Sequence, residues 1–306
     1  MSPIRAAFFG TPDEAVPVLM GLLSVADVPL VVTRPDAPQG RSKEPVQPPV
    51  RRSADALGLR VIQPERPLEA LDEIASLDVV ILAAYGLLIP GPLLDAPEHG
   101  FLNIHYSLLP RWRGASPVVR SILAGDSTTG VTLIQMDEGL DTGPVLARSV
   151  TPIDPEETAG ELTARLAALG GDLVASALPG VVAGAITAEP QDDAAATAAA
   201  KVAVSEAFLD PARHSAVAVH RAIRAFNPKP GAWGIVEGDR IKVWRAGPSD
   251  LSGIPGVAEL REGAVILGCS DGAVELHRVQ PSGRAEMDAI AWINGRRNEP
   301  AVFETG

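Results

Sequence analysis

The chain has 306 residues, 46% of them hydrophobic and 21% charged, with five histidines and a single cysteine, Cys269. Two domains are expected, because one domain usually takes about 100–150 residues, and one cysteine excludes an internal disulfide and any multi-cysteine metal cluster. The net charge of -12 argues against indiscriminate nucleic-acid binding, yet residues 201–306 are balanced, with 13 basic and 13 acidic side chains against 13 and 25 before them.

Ile4 to Phe9 is a short apolar run that reads as a buried strand ending at Gly10. A helix is expected to follow, with Thr11 as N-cap, Pro12 at the first helical position, Glu14 closing a capping box, and Val16, Leu19, Met20 and Leu23 at helical spacing. Strands at Pro29 to Thr33, Leu59 to Gln63 and Val79 to Ala83 then alternate with helices at Val50 to Leu57 and Leu68 to Leu77, the signature of a parallel sheet. Phe101 to His105 reads as a further strand backed by a helix over Pro117 to Ala124. Val131 to Gln135 and Pro144 to Val150 read as paired strands, and Thr158 to Leu178 as a long helix.

Between Glu189 and Ala200 the chain is rich in Pro, Gln, Asp, Thr and Ala without apolar periodicity, and reads as a linker. After a helix around Ser215 to Phe226, short runs at Gly234 to Val236, Arg240 to Trp244, Val257 to Leu260, Ala264 to Leu267 and Ala273 to Val279 are separated by Gly or Asp turns. They suggest a small β barrel with Trp233 and Trp244 in its core. The longest apolar stretch, Val79 to Leu94, is too short and too broken by Gly86, Pro90, Gly91 and Pro92 to span a bilayer. No membrane association, a cytoplasmic location and a monomer are expected.

Chemistry concentrates in Asn103-Ile104-His105-Tyr106-Ser107-Leu108-Leu109-Pro110-Arg111-Trp112-Arg113-Gly114. In a strand Asn103 and His105 share one face, at the carboxyl end where open parallel sheets bind ligands. An amide donor beside an imidazole can hold a developing oxyanion, and the imidazole can also move a proton near neutrality. An isolated Asn-x-His is more often structural. Asp141, in the glycine-flanked loop Met136 to Gly143, is placed either to orient His105 or simply to form the turn. The five histidines show no paired ligand spacing, so no metal is expected.

Asn-x-His, the Ser-Leu-Leu-Pro turn and the later Asp-Thr-Gly together resemble the folate-dependent formyltransferase family. The resemblance implies that Asn103, His105 and Asp141 are catalytic. It also implies that Ser107, Leu108, Leu109 and Pro110, with Tyr85, Leu87 and Ile89 from the loop after the preceding strand, hold a reduced folate. The segments Phe9 to Asp13, Thr33 to Lys43, Arg113 to Pro117, Ile223 to Ala232 and Met287 to Arg296 extend the likeness over essentially the whole chain. They resemble the members whose acceptor is a methionyl initiator tRNA. Those members use 10-formyltetrahydrofolate as donor, and the likeness implies tRNA contacts from Arg34, Arg41 and Lys43, of which Arg41 is the first choice for a phosphate clamp.

The architecture implied is a Rossmann-like, mostly parallel sheet over residues 1–188, a linker over 189–205, and an OB-like barrel over 206–306 that binds tRNA. Tyr106, Lys229 and Arg34 depart from the family pattern. A formyltransferase acting on a small amine, either a purine precursor or an amino sugar nucleotide, would share the three catalytic residues, but needs neither the basic loop nor the barrel. A nucleotide-dependent oxidoreductase is disfavoured because Gly10-Thr11-Pro12 lacks the G-x-G-x-x-G spacing. An RNA-binding protein with an inactive enzyme domain is disfavoured by the complete Asn, His and Asp set.

Overall fold

The computed structural model describes residues 3–38 and 44–306, so Arg41 and Lys43 lie outside the described residues. The chain divides into two compact units. The first takes residues up to Pro117, Thr128–Pro152 and Thr163–Ala199; the second takes Val118–Ser127, Ile153–Leu162 and Ala200–Gly306.

In the first unit β1 (Ile4–Gly10), α1 (Val16–Leu23), β2 (Ala26–Val32), α2 (Pro49–Ala56), β3 (Val61–Ile62), α3 (Leu71–Ile74), β4 (Val79–Ala83), α4 (Gly91–Leu94) and β5 (Phe101–His105) follow one another. After α5 (Pro117–Ala124), which from Val118 on belongs to the second unit, come β6 (Thr128–Gln135), β7 (Val145–Pro152) and α6 (Ala159–Val182), which belongs to the first unit from Thr163 on. The sheet order is β3-β2-β1-β4-β5-β6-β7, parallel from β3 to β5 and antiparallel at β6 and β7. All five residues of β4 and of β5 are buried, as expected of strands covered on both faces. The edge strand β7 mostly alternates partly covered with exposed residues.

Phe9 on β1 meets Tyr85 and Phe101 edge-to-face, with centroids 5.2 Å apart in both pairs. Each such contact contributes about 0.5–1.5 kcal/mol beyond area burial. The long helix α6 approaches α1 so closely that a Cβ on Gly21 would stand 2.2 Å from the Gly171 carbonyl oxygen, so only glycine permits this crossing. α6 has the length and apolarity of a spanning segment, but half of its apolar window is buried within the protein.

The second unit carries α7 (Ala216–Ala225), β8 (Ala232–Val236), β9 (Asp239–Ser249), β10 (Val257–Arg261), β11 (Ala264–Gly268), β12 (Ala273–Pro281), α8 (Ala289–Gly295) and β13 (Ala301–Val302). Its antiparallel sheet runs β8-β9-β12-β11-β10-β13. A bridge between Val236 and Phe303 joins its two ends into a nearly closed barrel. The Ser215 and Asp288 side chains accept the N-terminal amides of α7 and α8, caps that contribute about 1 kcal/mol each.

Three expectations are corrected locally. Thr11 does not cap α1; its hydroxyl donates to the Tyr85 carbonyl, and Asp13–Ala15 form a 3-10 turn before the helix starts at Val16. Leu68 to Leu77 is a 3-10 turn followed by the short α3. Trp233 and Trp244 are only partly buried: each is covered by a cation, Arg240 at 4.1 Å and Lys242 at 4.8 Å, while Trp292 and Phe303 fill the barrel core. The stretch from Glu189 to Ala200 is also less free than a polar linker would be. Glu189 pairs with Val145, and Arg113 with Ala198, because its polar groups find main-chain partners in the first unit.

Candidate active site

Asn103 and His105 are two residues apart on β5 and therefore face the same way, each less than a tenth exposed. Their strand lies between β4 and β6, and the loops after β1, β4 and β6 surround its carboxyl end. There they enclose a cavity of about 460 Å³, lined by Pro12 and Glu14, by the segment from Ala84 to Ile89, by Asn103 to Tyr106, and by Met136 to Asp141. Parallel sheets place ligands at this position because strand ends leave side chains and loop amides converging on one crevice.

Asp141 joins the pair. Its backbone has φ +55, a left-handed conformation that aspartate tolerates better than most residues. Its Oδ2 accepts the Gly114 amide at 2.8 Å and stands 3.5 Å from His105 Nδ1, while Oδ1 accepts from Asn103 Nδ2 at 3.4 Å. The other imidazole nitrogen, His105 Nε2, is 2.8 Å from the Trp112 carbonyl oxygen. A carbonyl can only accept, so Nε2 carries a proton and Nδ1 is the position that gains or loses one, facing the carboxylate. Asn103 has two amide hydrogens and spends one on Asp141, which leaves the second for a ligand.

The Ser107 to Pro110 turn lies behind this arrangement. Ser107 Oγ donates to the Arg111 carbonyl, Thr132 Oγ1 donates to the Ser107 carbonyl and accepts the Leu109 amide, and none of the four turn residues lines the cavity. The turn holds Trp112, whose carbonyl receives the imidazole. Tyr85 contributes to the cavity wall, but its ring is buried against Phe9 with its hydroxyl unpartnered among the described residues. Burial chiefly holds that phenol above its ordinary range, with Arg34 opposing. Leu87 and Ile89 line the cavity, joined by Leu88 and Leu140, which are 84% and 62% exposed at its lip. Exposed leucines had no sequence signal separating them from core leucines.

Arg34 is exposed, and its guanidinium stands 3.9 Å from where a Cβ on Gly86 would sit, at the cavity rim. Tyr106, the departure beside His105, is buried and donates to the Glu14 carbonyl, so it braces the wall between β1 and β5. Burial raises its phenol well above the ordinary range, so it remains a neutral donor.

A formyl transferase model matches residues 4–178, and a formyl transferase C-terminal domain model matches residues 201–297. The chain belongs to the formyl transferase family. A methionyl-tRNA formyltransferase of Halorhodospira halophila is 45% identical over 305 residues, covering 97% of each chain. One from Ruegeria pomeroyi is 45% identical over 95% of this chain and 97% of its own. The fold is shared by an N-formyltransferase from Helicobacter canadensis solved with folinic acid and dTDP-3-aminofucose, with TM-score 0.70, 18% identity, and 91% and 99% of the two chains covered.

The site also contains groups that the sequence motifs did not announce. The Trp112 carbonyl and the Gly114 amide, both main-chain groups, fix the imidazole and the carboxylate. The cavity is large enough for a small-molecule ligand. Its size falls within the roughly 300–1,000 Å³ of small-molecule sites, and its walls are apolar around a few converging polar groups.

Proposed function

We propose that this formyl transferase moves the formyl group of 10-formyltetrahydrofolate to the α-amino group of methionyl initiator tRNA, supporting the start of translation in the cytoplasm. The observation that carries the acceptor is the 45% identity to a methionyl-tRNA formyltransferase over 97% of both chains. The small-amine alternative has only fold-level likeness behind it, at 18% identity.

Asn103, His105 and Asp141 are the residues to which we assign the chemistry. The neutral amine adds to the formyl carbon, and the carbonyl oxygen becomes an oxyanion. Asn103, through its free amide hydrogen, and His105, when protonated at Nδ1 as well as at Nε2, stabilise that charge as it develops. Asp141 lies within reach of the same space and accepts the ammonium proton through a water. The oxyanion then collapses to the formamide as the carbon–nitrogen bond to the folate breaks, and the proton taken up by Asp141 returns through water to the leaving folate nitrogen. No covalent intermediate with the protein is required.

The folate would pack against Leu87, Ile89 and Leu140, with the Ser107 to Pro110 turn acting through the loop it holds. Arg34 at the rim, with Arg41 and Lys43, would contact tRNA phosphates. We assign catalysis to residues 1–188 and tRNA holding to the barrel over 206–306, and take the working species as a soluble monomer. The test is initiator-selective formylation: the protein with 10-formyltetrahydrofolate should formylate methionyl initiator tRNA and leave elongator methionyl-tRNA largely unmodified. Formylation of free small amines alone would overturn the assignment.

A further inference from the structure

Residues 189–199 contribute two side chains to the order of the active-site loops. Gln191 Nε2 donates to the carbonyls of Asp141 at 2.9 Å and Gly143 at 2.6 Å, while its Oε1 accepts from Arg113 Nε and Nη2 at 3.0 and 2.9 Å. Six residues on, Thr197 Oγ1 accepts the Trp112 amide at 2.9 Å, and the Thr197 carbonyl accepts the Arg113 amide at 2.8 Å. Trp112 sits at φ +65, a strained conformation for a bulky residue, and its carbonyl receives His105.

One segment therefore pins the loop that carries the carboxylate and the residue that fixes the imidazole ring. Arg113 ties the two together, paired through its main chain with Thr197 and Ala199 and through its side chain with Gln191 and Asp193.

We propose that Gln191 and Thr197 are positioning residues of the transfer reaction, Gln191 setting the Asp141 carboxylate and Thr197 setting His105 through Trp112. Neither lines the cavity; both act through a neighbour. Errors of about 1 Å in such a site can cost roughly a hundredfold in rate, so removing the support lowers turnover rather than binding. The proposal rests on the assignment of Asp141 and His105 to chemistry.

Gln191→Glu separates the roles of the side chain, because it keeps the volume and the Arg113 contact but has no hydrogen to give the two carbonyls. Thr197→Val removes the oxygen that holds the Trp112 amide, and Thr197→Ser restores it. Initial rates of formyl transfer to methionyl initiator tRNA are measured for each variant across pH, with a thermal melt to establish the folded fraction. Expected are a kcat at least tenfold lower for Gln191→Glu and Thr197→Val, KM for 10-formyltetrahydrofolate within twofold, an altered pH profile of kcat, and rescue by Thr197→Ser. Unchanged kcat, a loss that follows the folded fraction, or an equal rise in KM overturns the positioning role. Absence of transfer by the unaltered protein in the same assay refutes the underlying reaction instead.

Discussion

Replacing Asn103 by alanine should remove one oxyanion donor and little else. In the resting structure its amide makes one long hydrogen bond, 3.4 Å to Asp141, at the outer limit of useful geometry. Losing it costs about 1 kcal/mol of stability or less, which corresponds to a melting shift of at most about 2 °C in a chain of this size. A preorganised donor aimed at developing charge is worth about 2.7–4 kcal/mol of barrier, so kcat should fall by about 10²–10³-fold. Leu87, Ile89 and Leu140, the side chains proposed to hold the folate, lie elsewhere in the cavity, and the folate KM should therefore move by less than about threefold. Single-turnover formylation at saturating folate measures the chemical step directly. A drop below tenfold in that step, or a drop matched by the rise in KM, refutes the reasoning.

Gly143→Ala should displace the Asp141 loop, because the added Cβ would lie 1.8 Å from the Gln135 carbonyl oxygen, a main-chain atom; a lower melting temperature and at least tenfold less activity check this. Cys269 is 2% exposed, and its thiol is pushed up to about 12, chiefly by burial. A disulfide reagent at pH 8 should therefore modify it only after denaturant is added. His220 is held below its ordinary range, first by burial and also by Arg224, against the opposing pull of Glu156. The folded protein thus binds fewer protons than the unfolded chain as pH falls. The stability linked to His220 is complete above the unfolded value of about 6.5 and is lost as pH drops through the lower folded value. Melting temperature should accordingly fall less from pH 7 to pH 5 in His220→Gln than in the unaltered protein.

The sheet was legible because its central strands are short, mainly apolar runs. Val79 to Ala83 and Phe101 to His105 occur where the apolar pattern puts them, with Asn103 and His105 as the polar interruptions of a buried strand. The beginning of α1 was not legible. Thr11 satisfies every local rule for a cap, yet a distant carbonyl at Tyr85 competes for its hydroxyl, and no local pattern encodes that choice. The residues from Glu189 to Ala200 read as a linker because they lack apolar periodicity. Their order comes instead from long-range polar pairing of Gln191 and Thr197 with loops more than 45 residues away. Main-chain participants such as the Trp112 carbonyl and the Gly114 amide leave no residue signature at all.

Incubating the protein with 10-formyltetrahydrofolate and methionyl initiator tRNA, and measuring formylmethionine released on deacylation, tests the proposed reaction directly. Elongator methionyl-tRNA and free methionine serve as controls. Rapid, initiator-selective formylation that is lost in His105→Ala and Asp141→Ala is expected. Retained transfer in those variants, or transfer to small amines alone, would contradict it.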